Sequence, residues 1–251
     1  MDRKETSWGG VADWYKGVVS EEGGYQNDLI KPNLLRMMSV KKGERILDLA
    51  CGEGFMSRAF KEEGGVVSGA DIAPELIGLA KKSSPGIDFH IAPADDLEFM
   101  DAASADKVAV VMAIQNIENV SGVFKECARV LKSGGSLYLV INHPCFRVLK
   151  NSSWGDDKEA GIQYRRIDKY ISEMRVPIDM HPGGRKTELT VSFHRPLQYY
   201  FKALSKSGFC VSRLEEWTSM KESQPGRRAA AENRARKEIP LFMALECRRG
   251  E

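Results

Sequence analysis

The sequence has few cysteines and no pattern among them. Its five cysteines are odd in number and widely spaced, without a C-x-x-C pair. Disulfide-stapled secreted domains and thiolate metal sites instead carry paired or closely spaced cysteines. We therefore expect no metal site and a set of buried, reduced thiols at Cys51, Cys127, Cys145, Cys210 and Cys247.

Long apolar runs and an excess of one charge are also missing. The longest apolar segments, 108–114 and 137–141, are far shorter than the ~20 residues of a membrane-spanning helix and are typical of buried strands. The 37 basic and 35 acidic residues give a formal charge of +2, so no global field favours nucleic acid or a membrane surface. The polar residues 1–8 do not resemble a secretory signal. We expect a cytoplasmic protein without membrane association, and the oligomeric state stays open.

Short apolar runs alternate with helical patterns between residues 44 and 142. This alternation is typical of βαβ units, in which helices cover both faces of a parallel sheet. We predict strands at 44–50, 66–71, 87–92, 107–114 and 136–142, with helices at 52–63, 75–82 and 120–131 between them. A helix at 197–207 and strands at 209–217 and 239–247 complete an α/β fold with a mostly parallel, seven-stranded sheet.

The remaining segments divide the chain into parts of a single domain. Residues 1–43 contain one or two predicted helices before the sheet, and residues 44–142 form its core. Residues 143–195 are rich in polar and aromatic side chains and predict an inserted cap after the fifth strand, not a second folding domain. Residues 196–251 return to the sheet, with a polar connection at 218–237, and Gly134-Gly135 predicts a tight turn before the fifth strand.

A glycine-rich turn follows the first predicted strand. Its small residues, from Asp48 to Gly54, let a ligand approach the backbone and the amino terminus of the next helix. The dinucleotide fingerprint G-x-G-x-x-G is incomplete, because Ala50 replaces the first glycine and Arg58 lies beyond the position of the third. Asp71 ends the second strand roughly 20 residues later, where an acid accepts the hydroxyls of a ribose. Its alternative role is to cap the helix that begins near Pro74.

Three segments carry a family resemblance. ERILDLACGEG, SGADIAPELIGLAKK and ARVLKSGGSLYLV resemble motifs I, II and post-III of class I S-adenosylmethionine-dependent methyltransferases, within residues 44–142. The form is similar to the small-molecule group that includes quinone-ring methylases. WGGVADWYKG, NHPCF and FHRPLQYYFKALSKSGF more loosely resemble an uncharacterised bacterial and archaeal branch of that group. The resemblance implies a Rossmann-like fold, S-adenosylmethionine as cofactor and S-adenosylhomocysteine as product.

The resemblance also implies roles for individual residues. It puts the methionine part of the cofactor against Asp48, Ala50, Gly52 and Gly54, the ribose on Asp71, and Ile72 beside the adenine. Pro93 stands where the family has an acid for the adenine amino group, so Asp95 or Asp96 is expected to substitute, with the Ala94 amide at the ring. Val111 and Met112 would form the floor beneath the sulfonium, although core packing equally explains them.

Two further predictions concern an aromatic lid and a general base. Tyr15 and Tyr25 resemble the aromatic lid that such enzymes fold over the sulfonium cation; the alternative is packing within a helix. His143 ends the fifth strand at the carboxyl edge, where open α/β sheets bind ligands, and is the candidate base; the alternative is a structural histidine. Four cap arginines are candidates to pair with an anionic substrate group, and a solvated surface position is their alternative: Arg147, Arg165, Arg166 and Arg185.

The predicted function is methyl transfer by in-line displacement to a small molecule whose identity and acceptor atom the sequence leaves open. An RNA or protein substrate is the alternative, since basic residues cluster at 227–237. The near-neutral net charge disfavours nucleic acid. A non-catalytic adenosylmethionine-binding or NAD-binding module is the remaining alternative, disfavoured by the size of the cap and by the broken glycine pattern respectively.

Overall fold

The computed structural model describes residues 23–179 and 189–250, and a seven-stranded sheet lies at its centre. The order across this sheet is β10-β11-β5-β4-β1-β2-β3. β11 is antiparallel to both of its neighbours and the other six strands are parallel to one another, so the predicted mostly parallel, seven-stranded α/β fold is confirmed. The strands are β1 (Arg45–Leu49), β2 (Val66–Asp71), β3 (Asp88–Ile91), β4 (Ala105–Val111), β5 (Leu131–Asn142), β6 (Ser152–Asp157), β7 (Ile162–Ile167), β8 (Met174–Asp179), β9 (Leu189–His194), β10 (Phe209–Trp217) and β11 (Phe242–Arg249).

Helices cover both faces of the sheet. They are α1 (Lys31–Met38), which a π-helical turn at Gln26–Ile30 precedes, α2 (Phe55–Glu62), α3 (Pro74–Ser83), α4 (Val120–Val130), α5 (Leu197–Lys206) and α6 (Ala229–Glu238). Side chains alternate along a strand, so Val108 and Val110 of β4 join a core with Phe124 of α4. Ala109 between them joins the opposite core with Phe60 of α2.

The chain order of the parallel strands creates a crevice at one edge of the sheet. From β1 the chain builds β2 and β3 on one side, and it then crosses to build β4 and β5 on the other. Ligands bind outside the carboxyl ends of strands at such a reversal. The turns after β1, β2 and β4 all meet at this edge, and they contain most of the residues predicted to bind a cofactor.

Two separate hairpins follow β5. β6 pairs with β7, and β8 pairs with β9, each in antiparallel register. Only β9 overlaps a stretch whose alternation the sequence made visible. β6 has no fully buried residue, and a strand without a buried face carries no periodic apolar signal.

Three features differ from what the sequence predicts. β5 begins at Leu131 instead of 136, and its register with β4 jumps from Ala105↔Leu131 to Lys107↔Ser136, so that Gly134 (φ +72°) lies among the residues that the register skips. The polar connection at 218–237 contains α6, whose one fully buried residue, Ala235, gives too weak an apolar face to detect. Cys210 is exposed, because it lies on β10 at the edge of the sheet.

Within residues 23–179 and 189–250, no helix is long and apolar enough to cross a membrane. The same ranges contain no group of three or more His, Cys, Asp or Glu side chains arranged to hold a metal ion.

Candidate functional site

A cavity of about 730 Å³ opens at the carboxyl edge of the sheet, beneath the β8–β9 hairpin. Its volume lies within the roughly 300–1,000 Å³ of small-molecule sites. Eight of the residues predicted from the sequence line it: Ala50, Gly52, Asp71, Ile72, Ala94, Asp95, Val111 and Met112. Asp48, Gly54, Tyr25 and His143 do not line it, and Tyr15 lies outside the described residues.

The turn after β1 is held by Asp71 at the end of β2. The Gly52 backbone N–H donates to Asp71 Oδ2 and the Ala73 N–H donates to Oδ1, each at 2.9 Å. Asp71 thus joins the glycine turn to Ala73, the residue that directly precedes α3. The bond to Ala73 is the part of the helix-capping alternative that the structure contains. Each carboxylate oxygen accepts more than one hydrogen bond, so both retain capacity toward the cavity. Burial raises the pKa of Asp71, while the bonds from the backbone N–H groups lower it.

Three residues of this turn adopt left-handed backbone conformations. Ala50 and Gly52 each have φ +57°, and Gly54 has φ +82°. For Ala50 this conformation costs roughly 1–2 kcal/mol, and it leaves the wall of the cavity with only a methyl group. A Cβ on Gly54 would lie 2.9 Å from Phe89 Cζ, so this glycine is required by packing as well as by its φ angle.

Asp48 lies in a small cleft beside the main cavity. The cleft has a volume of about 20 Å³ and shares Gln26, Ala50 and Val111 with the larger space. Ser57 Oγ donates to Asp48 Oδ2 at 2.5 Å. Burial raises the pKa of Asp48 to about 7, although the bond from Ser57 opposes this shift. The cleft therefore combines an acid that titrates near neutral pH with room for a group the size of water or an ammonium.

The segment after β3 also lines the cavity, together with the turns after β1 and β2. Pro93, Ala94 and Asp95 line it, whereas Asp96 is exposed and does not. Asn119 Nδ2 donates to Asp95 Oδ2 at 2.7 Å, which orients the carboxylate. Of the two acids considered in place of the missing one, Asp95 is the one that faces the cavity.

The floor of the cavity is the segment after β4. Met112 has φ +55°, and Gln115 Nε2 donates to its carbonyl oxygen at 2.7 Å. Asn116 lines the cavity. The residue that caps α4 is Asn119, whose side chain accepts from the Gly122 N–H at 3.1 Å.

The far half of the cavity is formed by the β8–β9 hairpin, and the sequence did not single out its residues. Arg175 and Ile178 come from β8, and Thr190, Ser192 and Phe193 come from β9. Thr190 and Ser192 are buried polar residues. Thr190 and Ser192 alternate with apolar residues along β9 and so lie on the same face, and this alternation was the one signal in the sequence for finding them.

Arg195 joins this hairpin to the floor of the cavity. Its guanidinium is buried and donates from Nη2 to the carbonyl oxygens of Ile117 and Glu118, at 3.0 and 2.9 Å. It also lies 4.7 Å from the ring centroid of Phe193. Both Ile117 and Phe193 line the cavity, so Arg195 fixes two of its walls relative to each other.

His143 faces away from the cavity toward the antiparallel side of the sheet. Its Nε2 lies 2.7 Å from Glu216 Oε1, and its Nδ1 accepts from the Cys145 N–H at 3.2 Å. The proton therefore lies on Nε2, and both ring nitrogens are already bonded. Burial lowers the pKa of His143 and the bond to Glu216 raises it. The position of His143 at the end of β5 was predicted correctly, but its side chain does not line the cavity.

Tyr25 also makes contacts away from the cavity. Its hydroxyl lies 2.8 Å from Ser219 Oγ, its ring meets Phe242 edge-on at 5.8 Å, and Lys221 Nζ lies 4.8 Å from its ring centroid. A cation thus already occupies one face of the ring. The neighbouring Gln26 lines the cavity instead.

The cap arginines named from the sequence do not line the cavity. Arg165 donates to Phe146 O and Ser152 Oγ, at 2.9 and 2.6 Å, and Arg166 pairs with Asp168. Arg147 is absent from the lining, and Arg185 lies outside the described residues. Arg175, three residues before Ile178 on β8, is the arginine that the fold places there.

Comparison with known proteins identifies the central part of the chain. The family described as "Methyltransferase domain" matches residues 47–139. A ubiquinone biosynthesis O-methyltransferase of Xanthomonas oryzae is 33% identical over 101 residues, which cover 39% of this chain and 42% of that protein. The chain therefore aligns with less than half the length of this curated relative.

Solved structures match nearly the whole fold. An S-adenosylmethionine-dependent methyltransferase from Mesorhizobium loti is 26% identical, with a TM-score of 0.69, covering 87% of this chain and 96% of that one. A structure from Listeria monocytogenes described as such a methyltransferase is 21% identical, with a TM-score of 0.67 and coverage of 88% and 98%, and supports the fold alone. These matches confirm the predicted fold family and imply S-adenosylmethionine as cofactor.

Proposed function

We propose that this chain, a class I S-adenosylmethionine-dependent methyltransferase by its fold and by its methyltransferase domain at residues 47–139, methylates a small molecule. The observation that carries the proposal is a single cavity with two chemically different halves. One half contains the predicted cofactor residues, and the other is closed by the β8–β9 hairpin. A cofactor site that continues into a second, enclosed space fits two ligands that react with each other.

The residues of the first half fit adenosylmethionine. Asp71 is buried, accepts two backbone N–H groups and lines the cavity, as an acid that binds ribose hydroxyls must. The small side chains of Ala50 and Gly52 leave the backbone open to close approach. Asp48, in the adjoining cleft, offers a carboxylate to the ammonium of the methionine part. We propose these residues, with Ile72, Ala94 and Asp95 toward the adenine, as the cofactor site.

The protein contributes mainly alignment and exclusion of water. Bound adenosylmethionine would supply an electrophilic methyl group on its sulfonium; methylation of a hydroxyl would release the hydroxyl proton and leave adenosylhomocysteine. Val111, Met112 and Phe193 give this part of the cavity apolar surface. Holding two reactants in such alignment contributes up to ~7–11 kcal/mol to lowering the barrier. No proton-transfer step is assigned to His143, because its two ring nitrogens are bonded elsewhere.

An oxygen atom is the proposed acceptor. The curated relative is named an O-methyltransferase, and the far half of the cavity offers hydroxyl groups on Thr190 and Ser192 and an amide on Asn116. Such groups exchange hydrogen bonds with a substrate hydroxyl and orient it. The acceptor would lie beneath the hairpin, and a cavity of about 730 Å³ that it shares with the cofactor favours a small molecule.

Calorimetry with adenosylhomocysteine, adenosylmethionine and NAD tests the cofactor site. We expect the first two to bind and NAD to bind far more weakly. Asp71→Asn should weaken adenosylhomocysteine binding by roughly 10-fold or more, since one charge-assisted hydrogen bond contributes ~1.5–3 kcal/mol. Asp96→Asn, at an exposed acid outside the cavity, is the matched control. Tighter binding of NAD, or equal affinities in both variants, would refute the assignment.

A further inference from the structure

The cavity contains an unusual distribution of charge. Four of its described lining residues carry a charge: Asp71, Asp95, Glu118 and Arg175. Three are acids, and two of these acids belong to the cofactor half. Among these described residues, an anionic group on a second ligand is repelled by the carboxylates and attracted by one side chain, the guanidinium of Arg175.

Arg175 differs from the other arginines of the cap in how its donors are used. Arg165 and Arg195 donate to protein oxygen atoms at 2.6–3.0 Å, and Arg166 pairs with Asp168. Arg175 makes no side-chain hydrogen bond or ion pair to another residue of the described ranges. Its side chain is exposed although it lines the cavity, which places the guanidinium at the mouth, in contact with entering molecules.

The strand geometry sets the distance over which a ligand would extend. Arg175 pairs with Phe193, and Ile178, three residues further along β8, pairs with Thr190. Three residues span roughly 10 Å of strand. A molecule that reaches from Arg175 to Thr190, both of which line the cavity, therefore needs a body of about the length of a substituted ring; Arg175 shares one face of the hairpin with Phe193, and Thr190 shares the other with Ile178.

We propose that Arg175 binds a carboxylate on the methyl acceptor, so that the substrate class is a small hydroxy acid with an apolar body. The planar guanidinium forms two parallel hydrogen bonds with a carboxylate. One guanidinium balances the single charge of a carboxylate, whereas a phosphate dianion would keep excess negative charge in a cavity whose lining also includes Asp71, Asp95 and Glu118. The hydroxyl at the other end lies beside Thr190 and Ser192. This assignment rests on the proposed methyl transfer, but the anion site is testable separately.

Pairs of probes that differ in charge test the proposal. Salicylate with salicylamide, and lactate with lactamide, are titrated into the protein by calorimetry, with and without saturating adenosylhomocysteine. We expect at least one carboxylate to bind 10-fold or more tightly than its amide, as expected for a charge-assisted bidentate pair. Arg175→Gln should abolish this preference. Arg166→Gln, which removes an exposed arginine outside the cavity, should keep it.

Three results would overturn the assignment. The first is that no carboxylate is preferred over its amide, and the second is that the preference survives Arg175→Gln. The third is a tenfold loss of adenosylhomocysteine affinity in Arg175→Gln, which would assign the guanidinium to the cofactor carboxylate. A carboxylate preference in a protein that fails to bind adenosylhomocysteine would retain the anion site and refute the methyl transfer, so the two failures are distinguishable.

Discussion

Asp48 shows how a single residue can favour binding at the expense of stability. It is buried, and its pKa of about 7 lies above the ordinary value of 3.8. Ionisation of Asp48 therefore destabilises the folded chain progressively as pH rises from about 4 to about 7. The ammonium group of a ligand in the adjoining cleft would offset this loss of stability, because its positive charge favours the ionised form of Asp48. Residues that bind charged ligands are often strained in this way when the ligand is absent.

Asp48→Asn is expected to stabilise the unliganded protein, and more so at about pH 8 than at about pH 5, because the amide stays neutral. Each unit of the pKa shift is worth ~1.4 kcal/mol, so the gain in unfolding free energy should grow by ~2–3 kcal/mol between these two pH values. Urea unfolding at both pH values measures it. The same variant should bind adenosylhomocysteine about 10-fold more weakly at pH 7, through loss of a charge-assisted bond.

Asp96→Asn provides the control for this prediction, since Asp96 is exposed and lies outside the cleft. Its effect on unfolding should not differ between the two pH values. If the stability change of Asp48→Asn is equally independent of pH, the raised pKa is refuted. If its cofactor affinity is unchanged, Asp48 does not contact the ammonium.

At the scale of elements, the β8–β9 hairpin depends on Arg195 for its position over the sheet. The two carbonyl groups that accept from Arg195 belong to the segment after β4, about 78 residues earlier in the chain. Its Nη1 is buried without a hydrogen-bond partner among the described residues. Arg195 therefore contributes position more than net stability, because part of the guanidinium is desolvated without compensation.

Arg195→Met is expected to lower the free energy of unfolding by ~1–3 kcal/mol, since two carbonyl groups lose their buried donor. Hydrogen exchange should accelerate in β9 and around Ile117 while the central strands stay protected. Arg166→Met is the control, because its exposed pair with Asp168 contributes less than ~1 kcal/mol. Uniform protection in Arg195→Met would show that the hairpin is held by other contacts.

At the scale of the whole molecule, the distribution of basic residues bears on the choice between a small molecule and RNA. The basic cluster at 227–237 lies on and just before α6, which contacts β7 of the first hairpin and contributes no residue to the cavity lining. Arg228 pairs there with Asp156 and Glu232. These pairs reduce the positive charge available to phosphates.

Charge reversal at α6 tests the RNA alternative. Arg227→Glu combined with Arg234→Glu changes two exposed side chains away from the cavity. After incubation with a cell extract and radiolabelled adenosylmethionine, we expect label in the small-molecule fraction, at a level that the double variant retains. Label in the RNA fraction that falls in the variant and at higher salt, with adenosylhomocysteine affinity unchanged, would favour RNA as the substrate.

The sequence by itself determined the sheet and the half of the cavity that we propose for the cofactor. Their signals are local: a 2.0 or 3.6 residue periodicity, a turn of small residues, and an acid at the end of the next strand. β1 and β2 are parallel and end at the same edge of the sheet, which brings Asp71 close to Gly52. The hydrogen bond of 2.9 Å between them is consistent with this topology. The helix α6 and the strand β6 escaped prediction because neither buries an apolar face.

The tertiary structure alone decided the acceptor half and the role of His143. Arg175 and Thr190 reach the cavity because a hairpin folds over the segment that follows β4, a contact between distant parts of the chain that no local pattern encodes. His143 was predictable as a strand-end residue, but its direction depends on β10, whose Glu216 bonds its ring. Periodicity specifies which residues alternate along a strand, whereas the packing of other elements against each face determines what those residues contact.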